Sequence, residues 1–315
     1  MTFSQPAPDA PFFVVINAAS GHVDAEEVMA CIGGIFDEAG RRHEFLQVLD
    51  PSQLSSTAEE AVKRAIAQGG VVVAAGGDGT LSAVAQAVHG RGPAYGVLPQ
   101  GTFNYFGRVN GIPQELEKAT RALLRARVQP VHVGRVNGRA FLVNASLGLY
   151  PQVLQDREKA KQQLGRNRWV AIYSGLRTLA GHVRQLSLEF EQGGKRRVLK
   201  SPTLFVGNNQ LQLERIGIGE AAALDAGQLA GIVVRPTSFW ALLWLALRGA
   251  LGKLGDSDNV ESFAFKRLSV SPHGARRAKV ALDGEIQWLD TPLVFEVPEP
   301  LPLMLPLPED RVEVE

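Results

Sequence analysis

The chain has 315 residues, a formal net charge of +1, 45% hydrophobic and 21% charged residues. A near-neutral chain of this kind excludes a global field that would draw in nucleic acid or an anionic membrane, so electrostatic targeting is left to local patches. One cysteine, Cys31, excludes an internal disulfide and fits a reducing compartment.

The length predicts two domains. The N-terminal MTFSQPAPDAP lacks a basic stretch followed by an apolar one, so no signal peptide is expected. No stretch reaches the roughly 20 apolar residues that span a bilayer; the nearest is Phe239–Leu247, ended by Arg248.

In chain order, Phe12–Ile16 is a short β-branched and aromatic run that predicts a buried parallel strand. Asn17–Gly21 reads as a turn. Asp24 can cap a helix with Glu26 and Glu27 in its first turn and Gly40 past its end, and Cys31 is expected buried in it. His43–Leu49 predicts a second strand, and Ser55 or Ser56 opens a helix through Ala67, closed by Gly69 and Gly70. Val71–Ala75 is a third strand, Gly76–Thr80 a tight loop, Leu81–Val88 a helix and Tyr95–Leu98 a fourth strand. This alternation predicts a parallel sheet covered on both faces.

The pattern changes after Pro130. Strands are predicted at Val131–Val136, Ala140–Ala145, Leu186–Phe190, Val198–Val206, Gly231–Val234, Phe263–Val270, Lys279–Asp283 and Pro292–Val297. Their close spacing suggests an antiparallel sandwich or barrel. Helical insertions are expected at about Gln155–Ala180 and Ser238–Leu251, and the proline-rich tail is expected to be extended. The expected class is therefore α/β: an N-terminal parallel-sheet domain at 1–130, then a β-rich antiparallel sandwich domain at 131–298.

Gly76-Gly77-Asp78-Gly79-Thr80 lies between a strand and a helix. Glycines there admit positive φ and let backbone N–H groups approach a ligand, and the helix N-terminus adds donors and partial positive charge. Such a site suits phosphates. Asp78 then needs a metal ion or a ribose hydroxyl to meet it, and beside ATP phosphates a carboxylate is usually a magnesium partner. The Walker pattern is absent. A second turn, Gly101-Thr102-Phe103-Asn104, follows the fourth strand, and loops at strand carboxyl ends of a parallel sheet converge. Thr102 and Asn104 can donate to or accept from a nucleotide; a purely structural turn is the equal alternative.

These residues resemble the diacylglycerol kinase catalytic family, bacterial lipid kinases with an NAD-kinase-like fold. GGDGT at Gly76–Thr80 is common to lipid and NAD kinases, whereas GVLPQGTFNYFGR at Gly96–Arg108 points to the lipid branch. FLVNASLGLYPQVLQDRE at Phe141–Glu158 looks like a bacterial sub-branch, and ALDGE at Ala281–Glu285 resembles the family's closing acidic motif. The resemblance implies an ATP- and Mg2+-dependent phosphotransferase acting on a lipid hydroxyl, diacylglycerol or a related alcohol, in phospholipid metabolism. It implies that the first domain holds the nucleotide, the second the lipid, and that the tail, 299–315, returns to the first. Asn17, Ser20 and Gly21 would line the nucleotide. Gly76, Gly77, Asp78, Gly79, Thr80, Leu81 and Ser82 would hold the phosphates, with Asp78 near magnesium, and Gly101, Thr102 and Asn104 would complete the site. Asp283 and Glu285 would approach from the second domain, one of them as general base, with Glu285 favoured over Asp283 and the other as its partner. The implied partner is a lipid at a membrane surface, with no nucleic acid, and the implied location is cytoplasmic or peripheral at the inner face of the membrane. No interface stripe speaks for an oligomeric state.

Three positions depart from the family pattern. Ser82-Ala83 stands where Asn-Glu is usual, Tyr105 where an aspartate is usual, and Asp225-Ala226-Gly227 where Asp-Asp-Gly is usual. Ala226 removes a metal ligand, leaving Asp225 or the Ala223 carbonyl as a weak substitute. A catalytically weakened nucleotide- or lipid-binding regulator is therefore one alternative, and an NAD kinase another.

Trp240 and Trp244, spaced i and i+4, share a helix face that reads first as core packing and otherwise as a membrane-interface stripe. Arg157, Lys159, Lys161, Arg166 and Arg168 read as a solvated helix face, with anionic headgroups as the alternative, and Lys195–Lys200 as a solvated hairpin end. There is no HExxH and no GxSxG, so zinc-protease and serine-hydrolase chemistry lack their usual signs.

Overall fold

A computed structural model describes residues 3–17, 24–149, 151–152, 185–192, 195–219, 224, 226–235, 239–250, 252–255 and 257–313. The basic stretch at 157–168 and the insertion expected at 155–180 lie outside the described residues. The chain divides into two compact units, Met1–Val133 with Glu299–Glu315, and Gly134–Pro298.

Unit 1 is built on a six-stranded sheet. It contains β1 (Phe12–Asn17), β2 (His43–Val48), β3 (Val71–Gly76), β4 (Ala94–Pro99), β5 (Arg127–Val131) and β18 (Leu301–Leu305), in the order β2-β1-β3-β4-β18-β5. The pairs from β2 to β18 are parallel; β5 alone is antiparallel to its neighbour. Every side chain of β3 and β4 is buried, as the unbroken apolar runs demand of a sheet with no open face. The tail strand is apolar along its whole length and fills the place between β4 and β5.

The helices of unit 1 are α1 (Ala25–Glu38), α2 (Leu54–Gln68), α3 (Asp78–Val88), α4 (Tyr105–Val109) and α5 (Leu116–Arg125). Asp24 caps α1 by accepting from the Glu26 N–H, and Gly69 ends α2 in the left-handed conformation. Cys31 is half-buried, more exposed than its helical position suggested. The short α4 and α5 were missed by pattern reading: α4 has only five residues, too few to show a period.

Unit 2 holds two six-stranded antiparallel sheets. One has β6 (Gly134–Val136), β7 (Arg139–Phe141), β9 (Leu186–Gln192), β10 (Lys195–Ser201), β14 (Arg267–Pro272) and β17 (Leu293–Glu296), ordered β10-β9-β14-β17-β6-β7. The other has β8 (Asn144–Gly148), β11 (Thr203–Gly207), β12 (Leu229–Val234), β13 (Val260–Phe265), β15 (Arg277–Leu282) and β16 (Glu285–Asp290), ordered β13-β12-β11-β8-β15-β16. Alternate residues of both sheets, among them Phe141, Leu147, Phe190, Val206, Phe265, Val280 and Phe295, share one apolar core. The unit is therefore a sandwich, as the strand spacing predicts. The opposite face of the second sheet carries a smaller cluster of Leu213, Ile218, Ala230 and Ile232, beside α6 (Gln210–Arg215).

Several predicted strands divide. Val198–Val206 breaks at Pro202, which lacks the ladder donor, into β10 and β11; Phe263–Val270 breaks into β13 and β14 between Phe265 and Arg267. Predicted strand Val131–Val136 divides between the two units. The predicted Ser238 helix is α7 (Phe239–Ala250).

Candidate active site

In unit 1 the glycine loop is shorter than its sequence suggests. Gly77 is extended (φ −80, ψ 177) and serves as N-cap, so Asp78, Gly79 and Thr80 already belong to α3. Glycine and aspartate both tolerate a helix's first turn, and aspartate is favoured there by the dipole. No side chain caps α3, and its first intrahelical bond runs from the Leu81 N–H to the Gly77 carbonyl at 3.0 Å. A glycine at the N-cap supplies no side-chain acceptor to the first-turn N–H groups, an arrangement that an anion can use.

The two glycine turns touch. The Gln100 N–H donates to the Gly76 carbonyl at 2.8 Å. A Cβ on Gly101 would stand 2.8 Å from the Gly77 Cα and 2.8 Å from Asn104 Oδ1. One on Gly76 would stand 2.7 Å from the Thr80 side chain. Neither position has room for a side chain: glycine admits the close approach of the Gly77 backbone at Gly101 and of the Thr80 side chain at Gly76.

Asn104 is the organiser of the second turn. It takes the left-handed conformation (φ 49), and its Oδ1 accepts from the Gly101 N–H at 2.8 Å while its Nδ2 donates to Gln114 Oε1 at 2.9 Å. Its side chain is buried, so it shapes the loop from within. Thr102 is exposed, and the exposed Phe103 ring stacks on Tyr105 with centroids 5.6 Å apart.

Asp78 links the two turns. Its carboxylate accepts from the Tyr105 N–H at 3.3 Å and the Phe106 N–H at 3.4 Å, at the start of α4. One carboxylate thus faces the positive ends of two helices. Burial raises its pKa above the ordinary aspartate value, and the Phe106, Tyr105 and Asn104 amides offset only part of that rise. Asn17, at the end of β1, donates through Nδ2 to Thr80 Oγ1 at 3.3 Å. Leu81 faces the core, and its carbonyl accepts from the buried Tyr95 hydroxyl at 2.8 Å. Ser82 follows it on the first turns of α3 and is half-buried. Ser20, Gly21 and Asp225 lie outside the described residues.

In unit 2, Asp283 and Gly284 form a two-residue turn between β15 and β16, with Leu282 paired to Glu285. Both turn residues have positive φ (48 and 92), the type I′ geometry for which Asp-Gly is preferred. The Asp283 carboxylate is caged by backbone. It accepts from the N–H groups of Leu142 (2.8 Å), Val143 (2.8 Å) and Asn144 (3.0 Å). The same bend is held from another side by Asn208, whose N–H donates to the Val143 carbonyl and whose Nδ2 donates to the Leu142 carbonyl. Asp283 therefore positions the hairpin tip.

Glu285 is the carboxylate that reaches solvent. Partial desolvation and then the negative charge of Asp283 raise its pKa above the ordinary glutamate value. Nearby on β8, Asn144 Oδ1 and Ser146 Oγ are buried with no partner among the described residues. Ala145 and Leu147 face the sandwich core, so Asn144 and Ser146 face away from it. The sequence signal for this is the polar–apolar alternation in Asn-Ala-Ser-Leu-Gly.

The structure thus gathers Asn17, Gly76–Ser82 and Gly101–Asn104 within unit 1, and Asp283 with Glu285 within unit 2. Among the described residues no three His, Cys, Asp or Glu side chains cluster as a metal site. Within unit 1, Asp78 offers a carboxylate at the first turn of α3, a ligand type that suits a hydrated magnesium ion.

Residues 11–136 match the family model of the diacylglycerol kinase catalytic domain. A diacylglycerol kinase of Bacillus subtilis is 29% identical over 186 residues, 58% of this chain and 59% of its own. A "Probable lipid kinase YegS-like" of Pseudomonas aeruginosa is 39% identical over 143 residues, 44% of this chain and 46% of its own. The chain thus spans about half the length of the curated relatives it matches. A crystal structure of a diacylglycerol kinase from Bacillus anthracis aligns with TM-score 0.66 and 17% identity, covering 98% of this chain and 99% of that one. A second crystal structure from that organism aligns with TM-score 0.71 and 20% identity over the same shares. At that identity the likeness speaks for the fold. Residues 11–136 are thus similar to the diacylglycerol kinase catalytic domain, in a chain that shares the fold of these Bacillus structures.

Proposed function

We propose that the chain is an ATP-dependent lipid kinase that transfers the γ-phosphate to a lipid hydroxyl, with diacylglycerol or a related lipid alcohol as acceptor. The observation that carries this reading is the contact of the two glycine turns at Gly77 and Gly101 beneath the uncapped N-terminus of α3. Backbone amides there suit a polyphosphate, and the family match of the same residues supports a kinase.

In this reading unit 1 is the nucleotide domain and unit 2 the lipid domain. The N–H groups of Gly77 to Thr80 bind phosphate oxygens, and Asn17 and Thr102 contact the nucleotide. Asn104 holds the Gly101 turn in the shape that binding needs. Asp78 is the residue that would hold Mg2+, which when bound neutralises charge on the phosphates. Asp225 is a weak second candidate, since Ala226 supplies no carboxylate.

Phosphoryl transfer needs an acceptor oxygen relieved of its proton. Glu285 takes that proton as general base: it is accessible, and its raised pKa brings it toward the working range of a base. Asp283, committed to three amides, is a positioning residue.

The test is a transfer assay with γ-labelled ATP, magnesium and separate diacylglycerol, sphingoid, phosphatidylglycerol and NAD acceptors. Label in the organic phase supports the proposal. Label in NADP would make the chain an NAD kinase, and no label with intact ATP binding would make it a regulator.

A further inference from the structure

Helix α7 (Phe239–Ala250) has one exposed and one buried face. Trp240 is 73% exposed, Trp244 58% and Leu247 49%, while Leu242 and Leu245 are buried. At about 100° per residue, the three exposed side chains fall within roughly 60° of one another, opposite the buried pair. The core-packing reading of this tryptophan stripe is therefore overturned: leucines of the other face do the packing.

We infer that this face docks α7 in the plane of an anionic lipid surface. The helix and its immediate flanks carry cations only, with acidic residues returning at Asp256 and Asp258. From Arg235 to Leu254 the sequence holds Arg235, Arg248 and Lys253 and no acidic residue. Arg235, four residues before the helix in sequence, and Lys253, three after it, are exposed, and Arg248 sits in its last turn, where its Nε donates to the Lys253 carbonyl. Tryptophans on one face with cations at the ends are the composition of an interfacial helix, in which indole rings sit at headgroup depth and the cations meet lipid phosphates.

The helix has 12 residues, too short to span a bilayer, so docking would place it in the plane of the surface. A second protein copy is the poorer occupant. The exposed apolar area of the three side chains is on the order of 400 Å², half of the roughly 800 Å² per partner that a stable dimer needs.

This inference rests on the lipid-kinase reading only in giving the docking a purpose; its test does not. Wild type and W240A/W244A are sedimented without nucleotide with phosphatidylcholine vesicles and with vesicles enriched in phosphatidylglycerol. Wild type is expected to partition more strongly onto the phosphatidylglycerol vesicles, and the double variant to lose about tenfold or more of that partitioning. High salt is expected to weaken wild-type binding further. Phosphorylation of a short-chain, water-soluble diacylglycerol by both proteins, read separately, reports the kinase reading and the folding of the variant. Should the variant misfold, R235E/K253E, which changes exposed charge alone, is expected to lose the preference for phosphatidylglycerol. Equal partitioning of wild type and W240A/W244A, no vesicle binding by wild type, or a wild-type dimer dissolved by W240A/W244A would each overturn it.

Discussion

Asp283 is predicted to hold unit 2 together, and removing its carboxylate should be read in stability before it is read in activity. The group accepts three N–H bonds at 2.8, 2.8 and 3.0 Å from the bend at 142–144. Hydrogen bonds to a charged group contribute about 1.5–3 kcal/mol each when buried. Asp283 is half-buried, so water replaces part of the loss, and about 1 kcal/mol apiece is the appropriate figure. D283A should therefore cost about 3 kcal/mol, with up to about 1 more for an alanine at φ 48. D283G loses the same bonds but not the conformational term, so it should be the milder change. Intrinsic fluorescence in a urea titration reads this selectively, because all the tryptophans, Trp169, Trp240, Trp244 and Trp288, fall within unit 2. Midpoints of D283A and D283G that coincide with wild type would refute the cage as a stabilising device.

Glu285 should behave in the opposite way. Its folded pKa is raised, so its contribution to stability is full below its ordinary value of 4.5 and is lost as pH rises through the folded value. E285Q should accordingly be at least as stable as wild type at neutral pH, by urea titration, while turnover falls about 10²–10⁴-fold. The acid limb of the wild-type pH–rate profile should lie above the ordinary glutamate pKa and vanish in E285Q. D78N should abolish transfer, since the amide keeps one acceptor for the α4 N–H groups but no charge for magnesium; unchanged turnover would contradict the assignment. G101A should weaken ATP binding by an order of magnitude or more in calorimetry, because its Cβ has no room beside Gly77 and Asn104.

Much of this was legible in the sequence, for identifiable reasons. Strands β1, β3 and β4 announce themselves as apolar runs, because a parallel sheet buried on both faces leaves no alternation to misread. Gly76–Thr80 and Gly101–Asn104 were marked by glycine alone. The end of the loop was not, because Asp78 and Gly79 are allowed in a first turn and only the backbone shows that α3 begins there. Asp283 and Glu285 look equivalent in ALDGE; the difference between them lies in three amides about 140 residues away in sequence, which no local pattern encodes. The tryptophan stripe failed for a related reason: a helix apolar on both faces does not say which face the fold will take.

The central claim is that the amides of residues 77–80, braced by Gly101, grip a polyphosphate. Titrating ATP, and inorganic triphosphate in parallel, into protein carrying isotope-labelled glycine measures it directly. The amide signals of Gly76, Gly77, Gly79 and Gly101 should shift together and saturably with both ligands. Movement confined to glycines elsewhere in the chain would contradict the account.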